Sequence, residues 1–151
     1  MYSHGGKRDK MKVSSNFILQ EFVPKEIYSK WGEKSIWFVP KRNILLAQFF
    51  RDRFGHTTVN DWHNGGQYNY SGFRPPECKV GAELSQHRFC NADDFKFSKV
   101  TIQEVYEDVI KNFDLYSKYG LTTIENITAT LTWLHCDFRN TNQKELLIIN
   151  P

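Results

Sequence analysis

Cysteine is scarce in this chain. Cys78, Cys90 and Cys136 are the three in 151 residues, too few and too odd in number for a disulfide framework, which points to folding in a reducing compartment. Long apolar runs are missing too. Nothing approaches the ~20 residues of a membrane span, and the polar opening Met1–Lys10 has no apolar core, so neither a membrane helix nor a signal peptide is expected. Charge of one sign is also in short supply: 20 basic against 17 acidic residues leave +3. The scattered Lys and Arg argue against a nucleic-acid surface, and the aromatic stretch Asn60 to Tyr70 contains no Lys or Arg to serve one. Slight positive charge does suit an anionic polymer such as a bacterial cell wall. Repeats and low-complexity tracts are absent.

What the chain has in quantity is aromatic side chains. Twelve Phe, seven Tyr and four Trp, within 40% hydrophobic residues, favour a single ordered domain with a substantial core. Residues 1–12 read as a flexible lead and residues 13–151 as the domain. Ser14-Ser15-Asn16 offers capping chemistry for a short helix near Phe17 that Pro24 stops, and a second covers Lys25 to Trp31, closed by Gly32. The strongest helix spans Pro40 to Phe54, with Leu46, Phe49, Phe50 and Phe54 on one face and Gly55 at its end. Thr57-Thr58-Val59 reads as a strand, Asn60 to Tyr70 as a long functional loop, and Ala92 to Phe97 as an alternating strand. Thr101-x-x-Glu104 is a capping box opening a helix to about Ser117. Leu121–Ile127 and Leu131–Phe138 follow as a hairpin through Thr128-Ala129-Thr130, and Glu145–Ile149 closes a sheet edge. These elements predict an α+β domain: a small, mostly antiparallel sheet with helices packed against it.

Ser85 to Asp94 carries His87 and Asp94 seven positions apart, and His135 lies in a later apolar strand. Two imidazoles and a carboxylate form the ligand type of a catalytic zinc site, which keeps a fourth position open. On spacing alone, a lone histidine beside a strand is more often structural or exposed than a metal ligand.

The wider pattern is more specific. Ser85-x-His87-x-x-Cys90-x-Ala92-x-Asp94 resembles the Ser-x-His-x-x-Gly-x-Ala-x-Asp signature of the D-alanyl-D-alanine carboxypeptidase family of zinc peptidases, which includes vancomycin-resistance dipeptidases, phage endolysin peptidases and the related hedgehog signalling domain. Trp133-Leu134-His135-Cys136-Asp137-Phe138-Arg139 resembles its second block. Asn16-Phe17, Glu21-Phe22 and Ser71-Gly72-Phe73-Arg74-Pro75-Pro76 are similar to blocks of the murein peptidase branch, so the likeness runs from about residue 13 to 139 in family order.

The resemblance implies a zinc site in a cleft, with His87, Asp94 and His135 as ligands and Arg74 facing a substrate carboxylate or a developing oxyanion. Ser85 would support the loop or the Asp94 carboxylate. An acid three residues before the last ligand, or a His two before it, serves as base in several members; here Thr132 and Trp133 stand there. Glu125 is the local substitute, because a hairpin turning about Thr130 sets it opposite His135 on one face. Asp137 shares that face and could instead orient a ligand or act as the base. Cys90, where the family has Gly, would strain a turn needing positive φ or mark a different turn; Cys136 should point into the core. The expected activity is hydrolysis of peptidoglycan stem-peptide amides, by a carboxypeptidase or endopeptidase made in the cytoplasm and delivered by lysis or within a virion. The alternative is a catalytically weak family member that binds wall peptide or serves a structural role. Neither nucleic acid nor a membrane span enters the expectation.

Overall fold

A computed structural model describes residues 10–151. Residues 1–9 of the expected flexible lead lie outside the described residues. Met11 and Lys12 belong to the fold, since the Leu19 amide donates to the Met11 carbonyl at 3.0 Å and Lys12 bridges Ile18.

A mixed sheet organises the domain, built from β1 (Thr57–Thr58), β2 (Ala92–Phe97), β3 (Thr123–Glu125), β4 (Leu134–Asp137) and β5 (Leu147–Ile149). Its order is β1-β2-β4-β3-β5. All neighbours are antiparallel except β3 and β5, which run parallel. Among the described residues, no helix is long and apolar enough to cross a membrane.

Helix α1 covers Lys25–Trp31, α2 Lys41–Phe54, α3 Ile102–Lys111 and α4 Phe113–Ser117. Pro40 sits at the N-cap of α2 rather than inside it, and Gly55 ends it at φ +81. Leu46 and Phe50 are fully buried, with Phe49 and Phe54 packed at the core's edge. The Phe50 ring meets Phe95 at 4.8 Å, Phe97 at 5.4 Å and Tyr116 at 5.5 Å between centroids. Truncating so central a ring costs roughly 3–5 kcal/mol. Thr101 and Glu104 close a reciprocal capping box at the start of α3.

Three sequence expectations need correction. The helix expected near Phe17 is a short 3-10 turn, Leu19–Glu21. The helix expected to run unbroken to Ser117 breaks at Asn112, whose φ of −118 and ψ of 34 leave helical space. The hairpin strands are also shorter than the pattern suggested, because residues 126–133 form turns and an extended link. Exposed Leu131 and Trp133 have no facing strand to pack on, so alternation alone could not extend the ladder.

Strand parity decides which face each carboxylate serves. Along β2, Asp93 and Phe95 point toward α2, where Asn43 Nδ2 donates to Asp93 at 2.8 Å. Asp94 points to the opposite face. Burial raises the Asp93 carboxyl to about 7, with the Asn43 hydrogen bond opposing it.

Candidate metal centre

Asp94 and His135 are direct cross-strand partners in the β2–β4 ladder, so the sheet itself sets two of the predicted ligands side by side. His87 arrives from the 3-10 turn Gln86–Phe89 just before β2. That turn closes through Cys90, which adopts the left-handed conformation (φ 51, ψ 39) and donates its amide toward the Gln86 and His87 carbonyls. The turn therefore keeps the geometry a glycine would favour, at a cost of about 1–2 kcal/mol for a residue with a Cβ. The Cys90 side chain is buried in the core and lies outside the ligand group.

The extended segment 71–74 braces the site from behind. Gly72 O accepts from His87 Nδ1 at 2.8 Å, Arg74 N donates to His87 O at 3.0 Å and Asp94 N donates to Ser71 O at 2.7 Å. A Cβ on Gly72 would stand 2.4 Å from the Phe22 carbonyl oxygen, so only glycine lets this strip lie so close.

Three atoms converge: His87 Nε2, His135 Nδ1 and Asp94 Oδ1. Their separations are 3.2 Å between the two nitrogens, 3.2 Å from His87 to Asp94 and 2.9 Å from His135 to Asp94. Tetrahedral zinc with ligands at ~2.0–2.1 Å needs donor atoms roughly 3.3 Å apart, so the set fits with little movement. All three residues are buried.

The outer nitrogens fix the chemistry of the inner ones. A carbonyl can only accept, so His87 Nδ1 carries the proton shared with Gly72 O and its Nε2 presents a lone pair inward. His135 Nε2 is held at 3.0 Å by Asp137 Oδ2, which turns Nδ1 inward in the same way. Lone pairs from two imidazoles and a carboxylate thus face one another. A cation satisfies all three.

Electrostatics follow this arrangement. Burial opposes charge on His135, but the hydrogen bonds it donates to Asp137 and Asp94 outweigh it and raise the imidazole to about 10. Burial would raise the Asp94 carboxyl, yet the two imidazoles hold it well below the usual carboxylate range.

The centre opens into a cleft of about 430 Å³ lined by Arg74, Ser85, Glu125, Trp133 and Arg139 among others. Arg74 stands beside the ligands: Nη2 reaches Asp94 Oδ2 at 3.3 Å and Nε donates to the Tyr70 carbonyl at 2.7 Å. It braces the ligand carboxylate as well as facing the cleft. Ser85 also lines the cleft, whereas the side chain that braces Asp94 Oδ2 is Arg74. Thr123 opposes Asp137 and Ile124 opposes Cys136; the same register carried one residue further sets Glu125 opposite His135, at the cleft wall. Asp137 is fully buried, bonded to His135 and to Arg139 Nε at 2.9 Å, which suits an orienting role. Cys136 is buried on the core side.

The Asn60–Tyr70 stretch, expected as a long functional loop, packs on α1 and not on the cleft. Lys25 N donates to Asn69 Oδ1 at 2.7 Å, and Trp62 Nε1 to Val23 O at 2.9 Å. The half-buried His63 sits in that turn and lines no part of the cleft. The facing wall comes from residues 81–86, a segment composition did not single out. Arg88 pins it, donating to the carbonyls of Ala82, Pro76 and Cys78 at 3.1, 3.0 and 2.8 Å.

Compared with protein-family models, curated proteins and solved structures, the chain finds no match.

Proposed function

We propose that the protein is a zinc-dependent peptidase that hydrolyses amide bonds of peptidoglycan stem peptides. The observation that carries the metal part is the convergence of three lone pairs whose imidazole partners are locked by Gly72 O and Asp137. The substrate class rests on the likeness of the Ser85–Asp94, Trp133–Arg139 and Ser71–Pro76 blocks to the carboxypeptidase family.

Zinc held there would act as a Lewis acid on an amide carbonyl and lower the pKa of water to ~7. The chain's own groups divide the remaining work. Asp137 and Gly72 hold the imidazoles in their tautomers. Glu125 at the cleft wall takes a proton on its carboxylate and returns it to the leaving amine. The Arg74 guanidinium, aligned through Nε and Nη2, offers its remaining donors to a substrate carboxylate or developing oxyanion. Leu84 and Trp133 give the cleft an apolar rim. Delivery to the wall would be by lysis or within a virion.

The second reading, a wall-binding or structural module with little turnover, is favoured by Thr132 and Trp133 standing where relatives of the resembled family place a base. Metal analysis combined with digestion of purified peptidoglycan separates the two. The peptidase reading expects one zinc per chain and release of cleaved stem peptides, both lost in His87→Ala. Stoichiometric zinc with intact peptidoglycan would refute catalysis and leave the binding module.

A further inference from the structure

The metal cleft has a second cation, Arg139, whose bonds to Asp137 leave part of its guanidinium unused. Trp133, His135, Asp137 and Arg139 fall at alternate positions through β4 and its flanks, and all but the fully buried Asp137 line the cleft. Arg139 Nη2 lies 2.5 Å from Asp137 Oδ2, which lies 3.0 Å from His135 Nε2. On the other edge of the same imidazole, Nδ1 lies 2.9 Å from Asp94 Oδ1, and Asp94 Oδ2 lies 3.3 Å from Arg74 Nη2. Contacts therefore run from Arg74 through Asp94, His135 and Asp137 to Arg139, with a guanidinium at each end and the candidate metal centre between them.

The two arginines are not equivalent. The Arg74 side chain is 11% exposed, with Nε on the Tyr70 carbonyl and Gly81 close against Nη1. The Arg139 side chain is 31% exposed. Its Nε and Nη2 are held by Asp137, while Nη1 has no hydrogen-bond partner among the described residues. Asp137 divides its charge between His135 and Arg139, so it does not neutralise the guanidinium alone. What results is a charged donor fixed in direction at the cleft surface. Such a donor selects a carboxylate, since a charge-assisted hydrogen bond is roughly twice as strong as one to a neutral amide, and it repels a cation.

We propose that Arg139 is a specificity-determining residue of this cleft, binding through Nη1 a substrate carboxylate on the far side of the scissile amide from the group met by Arg74. This role rests on the peptidase reading for its substrate. A stem peptide offers such a carboxylate at either of two places: the α-carboxylate of a second-position D-glutamate, lost where that residue is amidated, or the side-chain carboxylate of a third-position diaminopimelate, lost where lysine replaces it. The full chain carrying Glu125→Gln, to suppress turnover, is titrated by calorimetry in the presence of zinc with three stem pentapeptides. One carries only the D-glutamate carboxylate, one only the diaminopimelate carboxylate, and one neither. A carboxylate-bearing peptide should bind about tenfold tighter than the peptide with neither, and the arm that does so identifies the source. Arg139→Gln should remove this preference, and Arg139→Lys, which keeps the charge, should recover part of it. Loss of the brace on Asp137 would weaken all three peptides alike and leave their ratio unmoved, so the ratio reports the carboxylate contact. Equal affinity for the three peptides, binding of none of them, or a preference that persists in Arg139→Gln would overturn the proposal. The same preference in a protein that leaves peptidoglycan intact would count against catalysis and still support the assignment of Arg139.

Discussion

If the site holds zinc as proposed, metal and proton would compete for the same atoms, and the size of that competition follows from His135. Its Nδ1 lies 2.9 Å from Asp94 and its Nε2 3.0 Å from Asp137, and the imidazole is raised to about 10. Near neutral pH the metal-free protein therefore holds a proton that zinc must expel. Three pH units below the pKa, that expulsion costs at most about 4 kcal/mol, or roughly a thousandfold in apparent affinity. Calorimetry in buffers of different ionisation enthalpy should find about one proton released per zinc, and affinity should rise about tenfold per pH unit between about pH 6 and about pH 8. Asp137→Asn retains an oxygen that can accept from Nε2 but removes one of the two charges raising the imidazole. Its pH slope should flatten while its limiting affinity falls about 10–100-fold. Zinc affinity that is level across this range, with no proton released, would refute the coupling. The sign for stability is fixed as well: the folded value lies above the ordinary 6.5, so the proton stabilises the metal-free fold fully below ~6.5, and that stability is lost as pH rises through about 10.

Glu125→Gln should leave zinc stoichiometry intact while lowering stem-peptide hydrolysis about 10²–10⁴-fold, measured by chromatography of released peptides; undiminished turnover would assign the proton work elsewhere. At Cys90, a branched side chain suits φ 51 poorly, so Cys90→Val should lose more than ~2 kcal/mol in chemical denaturation whereas Cys90→Gly stays within ~1 kcal/mol. Burial raises the Glu21 carboxyl to about 7, against the hydrogen bond from the Ile18 amide. Its protonated form thus stabilises the fold below ~4.5, and that contribution declines as pH rises through about 7. Glu21→Gln should remove this pH dependence, worth about 2 kcal/mol after allowance for solvent screening, in denaturation curves compared with wild type at each pH.

Much of the ligand set was legible because it rides on short-range signals. Alternation in Ala92–Phe97 separates Asp94 from Asp93, and the turn about Thr130 sets the register that brings Glu125 level with His135. Helix α2 and the capping box of α3 were equally local. What escaped the sequence depends on distant chain. Gly72 O as the anchor of His87, and the use of Arg88 to pin residues 81–86, are contacts no periodicity encodes. The break at Asn112 and the docking of Asn60–Tyr70 on α1 are likewise tertiary choices, in which packing overrides a continuous apolar stripe and a loop-like composition. Cys90 shows the reverse case, a residue that looks wrong for its turn and is held there by the surrounding structure.

The candidate ligands also have a topological meaning. His87 and His135 are separated by 48 residues, so one ion joining them would close that whole stretch of chain into a ring, removing from the unfolded ensemble freedom worth about 4 kcal/mol by the chain-entropy measure used for a disulfide of the same span. In a protein whose three cysteines are all buried and unpaired, a reversible metal clasp would be the cross-link, tying the turn before β2 to the strand at the sheet's centre and making the fold's cohesion answerable to the supply of the ion.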